Sequence, residues 1–298
     1  MHSTIILANP NAGRGRAGVL AQQLISGCES FSNTQLLQCA DAVQARAQLD
    51  QLLTARCEHL IVVGGDGTLN LAAHAVLDKR LGHKIRFSLL PAGTGSDFAR
   101  TLAQCPTVAT LRRVPREPQS RPVDVLRVDW PDGQYRYGIN TVSAGIAGAV
   151  NTAMTASPGH GSGAYLRATV KAFFHYRPGL CTLALNGQHW HHGDLTLLAI
   201  TNGSHFGQGM RVAPRAAVDD GQAEVVAVTG MSRGWLLLRL VRIYLGNHLT
   251  APYVRYRRAR EITVEQTSGT LGLDIDGESA PGGRFTVRVI PGALRFSC

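Results

Sequence analysis

Three glycine-rich loops constrain this chain more than any other feature: ANPNAGRGRAG at 8–18, VVGGDGTLN at 62–70 and LPAGTGSDFAR at 90–100. Each follows a short apolar run and leads into a helix-patterned segment. The apolar runs TIILANP, TQLLQC, HLIVVGG and RFSLLPAG alternate with the helical stretches GVLAQQLI, TLNLAAHAVLD and SDFARTLA. A further helix starts at Asp41, with Ala45, Leu49, Leu52 and Leu53 on one face. Such alternation predicts a parallel sheet with helices on both faces, whose ligands bind at the carboxyl ends of the strands. In that sheet the three loops converge on one crevice.

Gly64, Gly65 and Gly67 let backbone N–H groups approach an anion, and a helix start adds partial positive charge. Thr68 can donate a hydroxyl hydrogen bond. Asp66 is out of place in a simple phosphate cradle, because it repels phosphate unless a metal ion or a transferred proton accompanies it. The combination points to phosphoryl transfer. Gly13 and Gly18 have the glycine spacing of a P-loop, but Val19 and Leu20 replace its Lys and Ser/Thr, and GxGxxG is absent after the first strand. A P-loop is therefore rejected, and the missing GxGxxG argues against a dinucleotide dehydrogenase.

Beyond the proline-marked stretch VPREPQSRP the pattern changes to strands such as VDVLRVDW, QYRYGINTV, CTLALNG, LTLLAITNG, AEVVAVTG, EITVEQ and RFTVRVI. In the last, Phe285, Val287 and Val289 alternate with Thr286 and Arg288, as in a half-exposed antiparallel sheet. A β-rich second domain is expected, with helical insertions over 164–175 and 232–246. At 298 residues the chain has room for two cores, and its formal charge of +10 favours an anionic partner, whether nucleotide, acidic lipid or nucleic acid. The densest basic run, RYRRAR at 255–260, lacks the aromatic spacing of a single-strand binder, so no nucleic-acid partner is expected. Six scattered cysteines without CxxC spacing fit a reduced, cytoplasmic setting. The N-terminal run is too short for a signal peptide, and Trp235 to Leu245, interrupted by Arg239 and Arg242, is too short for a bilayer span. The histidines of QHWHH at 188–192 are expected to be separated by strand alternation rather than gathered around zinc.

Taken together, GGDGT, NPNAG, GTGSDFAR, NGSHFGQGMRVAPRAAVDDG at 202–221, IDGE at 275–278 and VIPGALRF at 289–296 resemble the soluble diacylglycerol kinase and sphingosine kinase family, especially its bacterial YegS-like lipid kinases. The resemblance runs over nearly the whole chain. It implies an α/β fold of two domains. One is an N-terminal Rossmann-like, phosphofructokinase-like three-layer nucleotide domain over 1–122, completed by about 292–298; the other is a C-terminal β-sandwich over 123–291. It also implies an active site in the cleft between them. The reaction implied is transfer of the γ-phosphate of ATP, with Mg2+, to the hydroxyl of a lipid such as a diacylglycerol, phosphatidylglycerol or sphingoid base. The enzyme would associate peripherally with a membrane surface, and a homodimer is admitted as an expectation.

Carried over position by position, the resemblance implies nucleotide contacts from Asn9, Pro10, Asn11, Ala12 and Gly13, from Gly64, Gly65, Gly67, Thr68, Leu69 and Asn70, and from Thr94. It places the catalytic base on Glu278, and the chemistry alone leaves Asp276 and Asp66 open for that role. It also implies a structural magnesium held by Asp220 with main-chain oxygens of Ala217 and Gln222, an oxygen-only donor set suited to that ion. Ser96, Leu71 and Cys39 depart from the residues relatives commonly carry at those positions. Two other readings remain open on the residues. NAD kinases also use GGDGT, and a basic nucleotide- or nucleic-acid-binding protein without catalysis would share the glycine loops.

Overall fold

The computed structural model describes residues 3–26, 33–93, 95–102, 104–112, 119–150, 176–229, 241–269 and 271–297. The helix expected over 164–175, most of the helix expected over 232–246, and Thr94 lie outside them. The chain forms two units, residues 1–124 with 291–298, and residues 125–290.

The first unit alternates as the sequence predicts: β1 (Ser3–Ala8), α1 (Arg16–Ile25), β2 (Thr34–Gln38), α2 (Ala42–Leu52), β3 (Cys57–Gly64), α3 (Asp66–Asp78), β4 (Arg86–Pro91), then the short helices α4 (Asp97–Leu102) and α5 (Val108–Arg112). The strands run parallel in the order β2-β1-β3-β4. The central strand β3 is buried along nearly its whole length, as a sheet covered on both faces requires. Asp41 caps α2 by accepting from Gln44 N at 2.8 Å, and Ala45, Leu49 and Leu53 are buried. One face of the sheet and α1 share a core of Ile6, Ala8, Ala17, Leu24, Ile61 and Val63.

The last residues of the chain complete this unit. Gly292 N donates to Asp124 Oδ1 at 2.8 Å, and Arg295 and Phe296 pair in parallel with Arg86 and Phe87 of β4. Phe296 is buried, stacked on Phe87 at 5.3 Å between ring centroids and tilted against Phe98 at 5.7 Å.

Apart from helical residues at 146–150 and 241–245, the described part of the second unit is built of strands and turns. The strands are the remainder of β5 (Ser120–Asp129), β6 (Tyr135–Gly138), β7 (Thr141–Gly145), β8 (Gly179–Leu185), β9 (Gln188–Leu195), β10 (Leu197–Thr201), β11 (Ala223–Val228), β12 (Val254–Ala259), β13 (Glu261–Ser268), β14 (Leu273–Ile275), β15 (Glu278–Ala280) and the first part of β16 (Arg284–Ser297). One sheet pairs β16, β13, β8 and β9 antiparallel; the other runs β12-β11-β10-β7-β14-β15. Inward residues of both, among them Leu183, Val264 and Phe285 from one and Ile200, Val225 and Leu273 from the other, form a single core, which makes the unit a β-sandwich. On β9, His191 is buried and His192 exposed, the separation that strand alternation predicts. RYRRAR belongs to the edge strand β12 and the turn after it, where an edge rich in arginine resists pairing with another chain.

Removing the Phe296 ring from its pocket leaves a cavity between Phe87 and Phe98. Phe296→Ala is expected to destabilise the first unit by about 3–5 kcal/mol, measured as a lowered thermal or urea midpoint.

Candidate active site

The three glycine loops meet at the carboxyl ends of β1, β3 and β4, and they meet as bare backbone. A Cβ on Gly13 would lie 1.9 Å from Ala92 O, and one on Gly93 would lie 2.5 Å from Gly65 Cα. Gly13 also has φ +61, a conformation side chains disfavour. Thr68 packs its side chain over Gly64, where an added Cβ would come within 2.5 Å of Thr68 Oγ1. Asn9 Oδ1 accepts from Asn11 N at 3.0 Å, which shapes the first loop as a tight Asx-type turn. α3 begins at Asp66 with Gly65 as its cap residue and no side-chain cap; Thr68 N donates to Gly65 O at 3.1 Å, and the amides ahead of it face no capping side chain, which suits them to an anion. Asn9 to Gly13 and Gly64 to Asn70 are therefore brought together around one helix start, a cradle suited to phosphates.

Asp66 faces backbone amides of the next glycine loop. Its Oδ2 accepts from Asp97 N at 2.9 Å and its Oδ1 from Phe98 N at 3.1 Å. The carboxylate thereby ties the β3 loop to the first turn of α4. Burial holds its pKa above the ordinary carboxylate value, and these two N–H groups offset only part of that rise by favouring the charged form.

In the second unit Asp276 does the same with another stretch of chain. Its Oδ2 accepts from Ile139 N at 2.6 Å, and its Oδ1 from Asn140 N at 3.0 Å and Thr141 N at 2.7 Å. Asn202 Nδ2 donates to Ile139 O at 2.9 Å from the other side. Asp276 has φ 51 and Gly277 φ 93, so IDGE is the two-residue turn of the hairpin β14–β15, whose Asp-Gly dipeptide suits a turn with both central residues left-handed. Glu278 opens β15, is exposed, and its carboxylate has no partner among the described residues.

Sequence reasoning missed a group of buried polar atoms beside this turn. Asn140 Oδ1, Thr141 Oγ1, Ser143 Oγ and Thr201 Oγ1 are buried without a hydrogen-bond partner, on or next to the paired strands β7 and β10. The visible signal was NTVS interrupting an otherwise apolar strand. Asp124, buried in β5 to hold Gly292, was likewise read as plain strand.

At the VDDG turn, Asp220 Oδ1 accepts from Gln222 N at 2.9 Å, while Oδ2 pairs with Arg258, whose Nε also lies 3.2 Å from the buried Glu224. A guanidinium thus already neutralises the carboxylate that a cation would need alongside the oxygens of Ala217 and Gln222. The turn as placed does not fit a resident magnesium ion. Among the described residues, no group of three or more His, Cys, Asp or Glu is placed to hold a metal.

Comparison with known proteins agrees with this arrangement. Residues 3–128 match the diacylglycerol kinase catalytic domain, and residues 140–298 match the YegS C-terminal NAD kinase beta sandwich-like domain. A Pseudomonas fluorescens protein named "Probable lipid kinase YegS-like" is 31% identical, over 86% of this chain and 82% of its own. A Pseudomonas aeruginosa protein of the same name is 30% identical, over 84% and 80%. The crystal structure of a diacylglycerol kinase from Bacillus anthracis shares the fold, with a TM-score of 0.71 over 99% of this chain and 96% of its own at 16% identity. The chain belongs to the YegS-like lipid kinase family.

Replacing Asp276 with Asn turns an amide N–H2 toward backbone donors that need an acceptor. Asp276→Asn is expected to lose roughly 2 kcal/mol or more of stability in the second unit. Hydrogen exchange at the amides of residues 139–141 would accelerate with it.

Proposed function

We propose that this protein transfers the γ-phosphoryl group of MgATP to a lipid hydroxyl, with Glu278 as the general base. One observation carries the assignment of the base. Of the three carboxylates the sequence leaves open, Asp66 and Asp276 spend their oxygens on backbone N–H groups, and Glu278 does not. The lipid oxygen attacks phosphorus as its proton passes to the Glu278 carboxylate, the bond between the γ-phosphorus and the bridging oxygen breaks, and ADP leaves. Glycine loops and the α3 start hold the phosphates, and magnesium arrives with the nucleotide and offsets the charge on its oxygens. Family membership supports a lipid acceptor over NAD.

The acceptor is presented at an acidic membrane surface. In the second unit, Ile243 packs with Val254 and Tyr256 of β12, and Val241, Tyr244 and Leu245 beside it are exposed at 62%, 49% and 64%. Arg211, whose side-chain carbons lie against Gly246, and Arg215, whose guanidinium lies over the Tyr256 ring, are exposed beside this cluster. Apolar side chains next to arginines are the composition of a surface that lies on anionic lipid. Among the described residues, no helix is long and apolar enough to cross a membrane.

Glu278→Gln is expected to lower kcat by about 10²–10⁴-fold while folding and nucleotide binding persist. Turnover at the parental rate would overturn the assignment. Incubation with labelled ATP and either a whole lipid extract or NAD identifies the acceptor, and a labelled NAD product would favour the other reading. Sedimentation with vesicles rich in phosphatidylglycerol is expected to be salt-sensitive and to fall in Leu245→Asp; equal binding to neutral vesicles would remove the electrostatic part of the proposal.

A further inference from the structure

The first unit contains a cavity of about 480 Å³ at the amino ends of β3 and β4, the end of the sheet away from the glycine loops. β3 is 8 residues long, which separates the two ends by roughly 20 Å at the rise of an extended strand. Lys84, Arg86 and Arg295 line the cavity against a single carboxylate, Glu58.

Arg86 and Arg295 are direct cross-strand partners in the parallel pairing of β4 with the end of the chain. Like charges placed opposite one another in a sheet repel. Arg86 Nε is buried with no hydrogen-bond partner, and Arg295 Nη2 donates to Ser120 Oγ at 2.8 Å rather than to a carboxylate. Burial and the neighbouring Arg295 both press the Arg86 pKa downward, with Glu58 acting against them. Two guanidinium groups, an ammonium and a hydroxyl around a solvent-open pocket, with donors to spare, make a receptor for a tetrahedral oxyanion.

The geometry points to a second anion site here, one that takes a phosphomonoester dianion and is separate from the nucleotide loops. The volume exceeds that of inorganic phosphate and leaves room for a small organic group on the ester oxygen.

Thermal unfolding of the full chain, its glycine loops kept occupied by an excess of a non-hydrolysable ATP analogue, with and without inorganic phosphate or glycerol phosphate tests this. Both anions are expected to raise the midpoint of the parent protein. Arg86→Gln and Arg295→Gln should abolish the response without lowering the anion-free midpoint, because each relieves a repulsion. Lys84 is exposed, so Lys84→Gln leaves the core untouched and should weaken binding by about tenfold, the loss of one charge-assisted contact. The glycine loops are intact in all three variants, so a shift that survives them places the anion elsewhere and overturns the proposal, as does the absence of any shift in the parent. Selenate soaked into crystals should give an anomalous peak between Arg86 and Arg295, and a peak confined to the loops would count against the site. Vesicles of phosphatidic acid form the last arm. Binding that the same variants abolish would identify the ester as a lipid headgroup, and a response to the soluble anions alone would identify a free metabolite.

Discussion

The structure depends on backbone meeting backbone at the carboxyl ends of a parallel sheet. Gly65 and Gly93 touch with no room for a side chain, and Gly13 lies against the Ala92 carbonyl. Parallel strands joined by helices put successive loops at one end, but topology alone leaves those loops a side chain's width apart. Glycine closes that gap. The result is a concave surface of N–H groups at a helix start, which is the part of a kinase that must exist before any substrate arrives.

Two aspartates, one in each unit, hold such loops in place by the same means. Asp66 binds two consecutive amides at the start of α4, and Asp276 binds three consecutive amides over 139–141. A carboxylate is well suited to this because its four lone-pair sites can serve several amides, and charge strengthens each bond. The same use leaves it fewer lone pairs with which to accept a proton. A proton acceptor must have a lone pair to offer, and an oxygen already facing one or two N–H groups offers a poor one. Asp276 and Glu278, two residues apart on one hairpin, differ in surroundings because of the turn. Its left-handed Asp-Gly pair turns Asp276 back onto the strand entering β7, and Glu278 follows as the exposed first residue of β15.

The alternation of the first unit and the meeting of its glycine loops were legible in the sequence because both are local signals: hydrophobic period, glycine spacing and a cap at Asp41. The sandwich was legible as strands, though not as pairings, since register depends on contacts far apart in sequence. Motif order pointed to the family. The roles of the carboxylates were hidden, because whether an aspartate faces a ligand or a backbone amide is decided by which distant loop the fold brings beside it. Asp66 reaches 31 residues along the chain for its partner, and Asp276 reaches 137. Arg258 was hidden for the same reason. Within RYRRAR it reads as one of several surface charges, and its place beside Asp220 and Glu224 exists only once β12 pairs with β11.

The two ends of the first unit's sheet show opposite solutions to the problem of charge. At the carboxyl end, anion affinity comes from neutral backbone dipoles, with Asp66 held close by and its own charge stabilised through amides. Such a surface can accept an anion without repelling itself when empty. At the amino end, affinity is concentrated in full charges, and the return of the chain terminus forces Arg295 beside Arg86. That end is under strain whenever no anion is present, so its stability must depend on the concentration of whatever anion fills it, whereas the loop end is stable empty. A single sheet therefore carries one site preorganised for turnover and another whose occupancy is coupled to how firmly the unit holds together.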